Sequence, residues 1–230
     1  MGAAGDMIMA ALMELIDDSE EFLLMMNQLE IPGLHVWKES VERYGYTGTQ
    51  VHVDGSHRHH HSTLAEIWSI IDYLEVSEQV KRDAKSVYTI IAEAEAFVHG
   101  QPAAEVHFHE VGAPDAIADV VGTCLLMKML SLDEVVVSPI HVGMGTVKCA
   151  HGVMTVPTPA TAKILEGMPI YGGNVQGELC TPTGAALLRY FGHRFGPMPK
   201  MKVYKSGRGM GTKVFPGQIN GLAAMLGETE

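Results

Sequence analysis

The stretch Glu105-Val106-His107-Phe108-His109-Glu110-Val111-Gly112-Ala113-Pro114-Asp115 organises the rest of the chain. Its first half alternates, so in a β-strand His107 and His109 would share one face. Two imidazoles that are followed at once by a carboxylate are typical of a metal-binding edge. Pro114 suits the first position of a helix. The stretch therefore predicts a strand that leads directly into a helix.

Five side chains around this junction are candidate metal ligands. Asp115 complements the positive end of the predicted helix, and Asp119 lies one turn further on the same face. The alternative is a strand edge with solvated histidines and a helix whose acids only cap it, because short motifs also arise by chance. The five side chains that we expect to converge are His107, His109, Glu110, Asp115 and Asp119.

The composition describes a folded, acidic protein. The chain has 230 residues, of which 47% are hydrophobic and 19% are charged, as in globular rather than disordered proteins. A net charge of −11 argues against nucleic acid or an anionic membrane as a partner. No apolar run is long enough to span a membrane. Three scattered cysteines fit free thiols, so we expect a cytoplasmic protein.

A second group of histidines lies in residues 55–62, where the flanking glycine and serine predict a mobile loop. An expression tag stands at a terminus, whereas this segment is internal. Neutral imidazole binds Ni, Zn, Cu and Co well, so the segment is a candidate for metal capture and delivery. Its candidate ligands are His57, His59, His60 and His61.

Several predicted helix starts are candidates for anion binding. Thr158-Pro159 and Thr181-Pro182 each combine a capping hydroxyl with proline at the first helical position. Pro114 takes the same position without a hydroxyl residue before it. Such N-termini attract phosphate, although capping alone is the alternative at each of them. Glycine turns at Gly2–Gly5 and Gly143–Gly145 would let backbone approach a ligand. The candidate substrate-binding residues are Gly2, Gly5, Gly143, Gly145, Thr158, Thr161, Thr181 and Thr183.

The order of predicted elements favours an α+β fold, in which helices pack on short mixed strands. Leu34–Val41 and Thr49–Val53 indicate an N-terminal antiparallel hairpin. Strand–helix alternation after Glu105 keeps a mixed α/β sheet as the alternative. The basic glycine-rich segment Ser206–Lys213 either adds phosphate contacts or turns between strands.

We treat residues 1–230 as one compact unit, with a strand at Glu134–Val137 and helices that begin near Asp6 and Pro114. Three further helices should be capped by Ser19, by the capping box of Thr63 and Glu66, and by Ser77. The last of these should end at Gly100, where His99 is favourable to the helix dipole.

Taken together, these motifs resemble the LarC family of nickel insertion proteins. The resemblance spans nearly the whole chain, in family order. The matching segments are Gly2-Ala3-Ala4-Gly5-Asp6-Met7, His57-Arg58-His59-His60, Ala92-Glu93-Ala94-Glu95-Ala96, Val98-His99-Gly100, Val106-His107-Phe108-His109-Glu110-Val111-Gly112-Ala113, His151-Gly152, Val156-Pro157-Thr158-Pro159-Ala160-Thr161 and Thr181-Pro182-Thr183-Gly184-Ala185-Ala186.

The resemblance implies a nickel chelatase, a metal-inserting lyase that completes the nickel-pincer cofactor of lactate racemase-type enzymes. Such proteins insert Ni(II) into pyridinium-3,5-bisthiocarboxylic acid mononucleotide and consume CTP with Mg(II) or Mn(II). We expect Asp6 and Glu110 to be the catalytic carboxylates. The expected partners are the mononucleotide, a lactate racemase-type enzyme and a further copy of the chain in a homo-oligomer.

Two departures from the family pattern qualify this expectation. Family members usually have a short strand before the glycine turn, and none precedes Gly2 here. They also carry a long C-terminal region, to which CTP binding is attributed. We therefore expect that the chain corresponds to the N-terminal region of the family.

Two other classes of function are open to this sequence. A nickel store or metallochaperone would need only the histidines, and it would have no reason to bind the mononucleotide. A metallohydrolase could use His107-Phe108-His109. However, His109-Glu110 lacks the second histidine of H-E-x-x-H, and the chain lacks the eightfold alternation of a barrel hydrolase.

Overall fold

The computed structural model describes residues 2–29, 31, 33–54 and 62–229, and it has the α+β architecture that the sequence predicts. No helix in these ranges is long and apolar enough to cross a membrane. A short 3-10 helix covers Ala103–Glu105. The α-helices are α1 (Gly5–Met13), α2 (Ser19–Gln28), α3 (Leu64–Tyr73), α4 (Glu78–His99), α5 (Pro114–Leu130), α6 (Pro159–Ile164) and α7 (Pro182–Phe191).

The strands form one four-stranded sheet and several two-stranded ladders. The large sheet has the order β1-β2-β13-β14, in which the outer pairs are antiparallel and β2 meets β13 in parallel. The strands are β1 (His35–Arg43), β2 (Tyr46–Asp54), β3 (Ser62–Thr63), β4 (His107–Phe108), β5 (Val136–Val137), β6 (Ile140–His141), β7 (Gly143–Met144), β8 (Thr146–Cys149), β9 (Gly152–Thr155), β10 (Ile170–Tyr171), β11 (Gly177–Glu178), β12 (Arg194–Phe195), β13 (Met201–Met210) and β14 (Gly221–Thr229).

Helix α1 lies at the centre of the fold. Every residue of α1 except Asp6 is buried, as expected for a helix that is apolar on all sides. One side of α1 packs on the large sheet, and other sides contact α5 and α7. A Cβ atom at Gly207 or Gly209 of β13 would overlap the carbonyl oxygen of Ala11 or Met7. These two glycines therefore let the helix backbone rest directly on the strand.

Two backbone hydrogen bonds hold the beginning of α1 next to the beginning of α7. The Ala3 N–H donates to the Leu179 carbonyl at 2.8 Å, and the Thr181 N–H donates to the Ala3 carbonyl at 3.0 Å. A Cβ atom at Gly184 would overlap the Ala3 carbonyl oxygen. The two helices therefore begin side by side, and their N-termini open into the same cleft.

Most of the predicted element types are confirmed. The N-terminal hairpin forms from β1 and β2, and Thr63 and Glu66 make the reciprocal hydrogen bonds of a capping box. Ser77 caps α4, which ends at Gly100 in the left-handed conformation. Proline occupies the first turn of α5, α6 and α7. Local sequence was sufficient for these features because each depends on neighbours within one helical turn.

Other predicted details were wrong. Asp18 rather than Ser19 caps α2, because its carboxylate accepts from the N–H groups of Glu20 and Glu21. Only Val136–Val137 of the predicted strand 134–137 is extended. Ser206–Lys213 is mainly strand rather than loop, since residues 206–210 belong to β13 and their glycines contact α1. Close packing against a distant helix is not visible in a local glycine pattern.

The contact between α1 and β13 can be tested by adding one methyl group. We expect Gly209→Ala to lower the free energy of unfolding by about 1–3 kcal/mol, because the methyl group forces the strand away from Met7. Urea unfolding followed by circular dichroism measures this change. Gly172→Ala is the control, since its Cβ would meet no atom closer than 3.4 Å. Equal stability of both variants would show that α1 does not depend on this approach.

Candidate functional site

The first of two clefts lies beside the stretch that organises the sequence. It is an open cleft of about 880 Å³, including space open to solvent, between the end of α4, residues 107–111, the β8–β9 hairpin and the start of α6. Its polar lining includes four histidines, three glutamates, one cysteine and one threonine. These side chains are His99, His107, His109, His151, Glu95, Glu110, Glu178, Cys149 and Thr158.

Buried aromatic packing fixes the segment that carries His107 and His109. Phe108 is 1% exposed and packs edge-on against Tyr88 of α4 at a centroid distance of 6.3 Å. The Tyr88 hydroxyl donates to the Val111 carbonyl at 3.1 Å. With Phe108 held in the core, both flanking histidines line the cleft, as the predicted alternation requires.

Three histidines from separate elements meet in this cleft. The ring centroid of His151 lies 5.0 Å from that of His99 and 4.9 Å from that of His109. Glu95, one turn before His99, places its Oε2 3.5 Å from the His99 Nε2. Burial raises the pKa of Glu95, while the nearby His99 and His151 act in the opposite direction. The cluster therefore combines imidazoles with a half-buried carboxyl group.

This cluster is open rather than a finished coordination sphere. Imidazoles that share one metal at about 2.0–2.1 Å would have ring centroids roughly 5 Å apart, which is the spacing seen here. However, the part of the chain that the structure describes contains no group of three or more His, Cys, Asp or Glu side chains already arranged to hold a metal ion. The donor nitrogens would therefore have to move to reach one common ion.

The hairpin that carries His151 is tied to the central stretch by Glu110. The Glu110 Oε1 accepts from the Ala150 N–H at 3.2 Å. Cys149 precedes this position and is half-buried as a free thiol. Glu110 thus positions the turn between β8 and β9, in addition to lining the cleft.

The second cleft adjoins the first, because Glu178 and Lys213 line both of them. It has a volume of about 590 Å³, including space open to solvent, at the N-termini of α1 and α7. Thr181 caps α7 by accepting from the Gly184 N–H at 3.2 Å, and its hydroxyl lies 2.9 Å from that of Thr183. This cleft thus offers hydroxyl groups, two helix N-termini and one lysine.

Two carboxyl groups also meet in the second cleft. Burial raises the pKa of Asp119 well above its usual range, and the charges of Asp6 and Asp115 raise it further. Burial likewise raises the pKa of Asp6, although the Met7 N–H donates to its Oδ1 at 2.8 Å. A Cβ atom at Gly5 would lie 2.6 Å from the Asp119 Oδ2. Gly5 therefore provides the space that Asp119 occupies.

The five candidate ligands of the central stretch do not come together. His107, His109 and Glu110 line the first cleft, whereas Asp119 lines the second. Asp115 is exposed, lines neither cleft and accepts from the Ala116 N–H at 2.9 Å. The helix that carries both aspartates turns Asp119 toward α1, since residues four apart share a face only approximately.

The candidate substrate-binding residues are also divided. Gly5, Thr181 and Thr183 line the second cleft and Thr158 lines the first, whereas Gly2, Gly143, Gly145 and Thr161 line neither. Thr158 holds the cap position of α6, but its hydroxyl donates toward Thr161 and Glu178 rather than serving as a cap. Gly143 packs against the Gly177 carbonyl oxygen, which explains a buried glycine there. The candidate ligands His57, His59, His60 and His61 lie outside the described residues.

Sequence reasoning did not assign His99, His151 or Glu95 to a site, whereas Lys213 lies in the segment that it offered for phosphate contacts. As the sequence predicts, His99 stands at the C-terminal end of α4, where a basic side chain is favourable to the helix dipole. The available signal was its place in Val98-His99-Gly100, together with His151-Gly152, among the segments that carry the family resemblance. Nothing in the local sequence indicates that His151 lies beside both His99 and His109.

The model of one protein family, described as nickel insertion protein, matches residues 1–230. A relative from Desulfitobacterium hafniense (strain DSM 10664 / DCB-2), named pyridinium-3,5-bisthiocarboxylic acid mononucleotide nickel insertion protein, is 41% identical over 215 residues. That match covers 92% of this chain and 53% of the relative. A protein of the same name from Geobacillus kaustophilus is 38% identical over 237 residues, with 99% of this chain and 58% of the relative covered.

The chain thus spans about half the length of the curated relatives that it matches. A third relative of the same name, from Staphylococcus saprophyticus, is 36% identical over 235 residues and is 59% covered. No solved structure matches the chain.

Proposed function

The chain belongs to the nickel insertion protein family, and from this membership we propose that it forms the nickel-handling part of a chelatase. The proposed reaction inserts Ni(II) into pyridinium-3,5-bisthiocarboxylic acid mononucleotide, the compound in the relatives' name. One observation carries the proposal. A cluster of three histidine rings lies in a cleft that continues into a second cleft suited to phosphate.

Nickel is the metal substrate of this reaction, and the open histidine cluster suits a metal that must leave again. Imidazole nitrogens bind Ni(II) strongly. Coordination positions that the histidines leave open would let sulfur atoms of the mononucleotide enter and replace them. In this proposal His99, His109 and His151 hold the ion, while His107 and the segment with His57, His59, His60 and His61 deliver it.

We place the phosphate of the mononucleotide in the second cleft, apart from the histidines. The N-terminus of a helix carries roughly half a positive charge, and two such ends open into the second cleft. Thr181 and Thr183 add hydroxyl groups, and Lys213 adds a full charge between the clefts. An acidic protein can bind a phosphate here without a large basic patch. The pyridinium ring with its thiocarboxylates would then reach toward the histidines.

The remaining parts of the proposal concern the whole protein. We assign the catalytic carboxylates to Asp6 and Glu110, which line the second and first clefts. CTP with Mg(II) or Mn(II) drives insertion in this proposal, together with a C-terminal region like that of the longer relatives. The product passes to a lactate racemase-type enzyme. The protein acts as a homo-oligomer in the cytoplasm, where Cys124, Cys149 and Cys180 stay reduced.

We expect His109→Ala and His151→Ala each to weaken Ni(II) binding by at least about tenfold. Even residues that only orient a metal ligand contribute about 10–100-fold to metal affinity, and these two rings meet edge-on in the cleft, with centroids 4.9 Å apart. Equilibrium dialysis against Ni(II) measures the change. His35→Ala is the matched control, because His35 stacks on Trp37 of the large sheet.

The segment with four histidines needs a separate comparison. Replacing His57, His59, His60 and His61 together should reduce the number of Ni(II) ions captured and leave binding at the cleft intact. Loss of all Ni(II) binding in this variant, with His109→Ala and His151→Ala unaffected, would contradict the assignment of the cleft.

The phosphate site predicts a specific effect of Thr181→Val. Losing the cap should cost about 1 kcal/mol of stability. If the hydroxyl also contacts substrate, affinity for the mononucleotide should fall by much more than this loss explains. Isothermal titration calorimetry measures the affinity, and thermal unfolding measures the stability.

Ser77→Ala is the matched control, because Ser77 caps α4 outside both clefts. It should lower stability by a similar amount and leave mononucleotide binding unchanged. Equal effects of the two variants on mononucleotide binding would show that Thr181 only caps α7 and does not contact the substrate. Failure of the unaltered chain to bind the mononucleotide, with Ni(II) binding intact, would favour a nickel store or metallochaperone.

A further inference from the structure

Two buried oxygen atoms in the second cleft lack a partner. Asn220 is 5% exposed, and its Oδ1 accepts no hydrogen bond from the described residues. Its Nδ2 donates to the Lys213 carbonyl at 3.0 Å, which identifies the other atom of the amide as the oxygen. Oδ1 of Asp119 is equally enclosed and unpartnered in the described structure. Buried acceptors of this kind ordinarily have a donor, a water molecule or an ion.

Capping of the α1 N-terminus explains the presence of only one of the two carboxylates, Asp6 and Asp119. The backbone N–H of Asp6 donates to the Asp119 carboxylate, which accounts for part of its position beside α1. The Asp6 carboxylate already accepts from the Met7 N–H in the same turn. A second buried carboxylate at one helix end adds repulsion between like charges, so capping does not require the pair.

The charges around the cleft offset this repulsion only in part, because Lys213 and His52 attract the Asp6 carboxylate whereas Asp115 adds repulsion at Asp119. Among the described residues that line it, Asp6, Asp119 and Glu178 are acidic and Lys213 is basic. Lys213 is exposed and also lines the first cleft, so it is shared between two sites. A small cation bound between the buried oxygens would neutralise the negative charge that the exposed lysine does not surround.

We propose that Asp6, Asp119 and the Oδ1 of Asn220 bind a divalent cation that prefers oxygen ligands, Mg(II) or Mn(II). This site is separate from the histidine cluster, and it holds whether or not the chain inserts nickel. Carboxylate and amide oxygens suit Mg(II) and Mn(II), whereas imidazoles suit nickel. Mg(II) usually takes only one or two carboxylates and completes its coordination with water and phosphate.

The groups beside these oxygens suit a phosphate that would fill the remaining coordination positions of the cation. Thr181 and Thr183 line the same cleft, with two helix N-termini beside them. A phosphate bound there would complete the coordination of the cation and be neutralised by it.

The test is titration of the full chain with Mn(II), followed by electron paramagnetic resonance of the free ion. The unaltered chain should bind one Mn(II) that Mg(II) displaces. Asp119→Asn should weaken this binding by at least about tenfold. Asp6→Asn should do the same, and it is the second variant if Asp119→Asn does not fold. Circular dichroism checks the fold of both.

Asp115→Asn is the matched control, because Asp115 lies one turn before Asp119 on α5 and lines neither cleft. It should bind Mn(II) like the unaltered chain, as should His109→Ala. Absence of Mn(II) binding would overturn the proposal, as would unchanged binding in both folded aspartate variants or loss of binding in His109→Ala. Asp119→Asn should still bind Ni(II), so a failure here leaves the nickel proposal separately testable.

Discussion

The close approach of α1 to its neighbours is the constraint on which the rest of the structure depends. Gly207 and Gly209 admit the helix backbone onto β13, and on the other side Gly122 of α5 leaves room for the Met9 sulfur. A helix buried on all sides has only its ends available to solvent. The two hydrogen bonds of Ala3 then fix where the N-terminus opens, beside that of α7. The second cleft is therefore a direct consequence of how α1 is buried.

The two clefts separate two kinds of ligand chemistry. Imidazoles, a thiol and three glutamates line the first, whose nitrogen and sulfur donors suit nickel and the sulfur atoms that would receive it. Carboxylates, hydroxyls and helix N-termini line the second, which suits phosphate and oxygen-seeking cations. Glu178 and Lys213 stand between them. A substrate that carries both phosphate and thiocarboxylate groups could engage the two surfaces at once, which is the physical basis of the proposed chelatase.

Sequence patterns predicted the helices and strands more accurately than they predicted which residues meet at the site. Caps, prolines and the hairpin depend on neighbouring residues, and they were predictable for that reason. The alternation around Phe108 correctly placed His107 and His109 beside one cleft, although only two residues form a strand. The meeting of His99, His109 and His151 depends on three elements brought together by the core. Asp119 was assigned to the wrong neighbourhood because helical spacing shows which residues share a face, and not what that face contacts.

The central claim is that nickel binds between His99, His109 and His151. Anomalous diffraction from crystals of the full chain soaked with Ni(II), recorded on both sides of the nickel absorption edge, tests it most directly. We expect a peak within bonding distance, about 2 Å, of nitrogen atoms from at least two of these rings. A peak found only at the segment with His57, His59, His60 and His61, or only between Asp6 and Asp119, would contradict the claim.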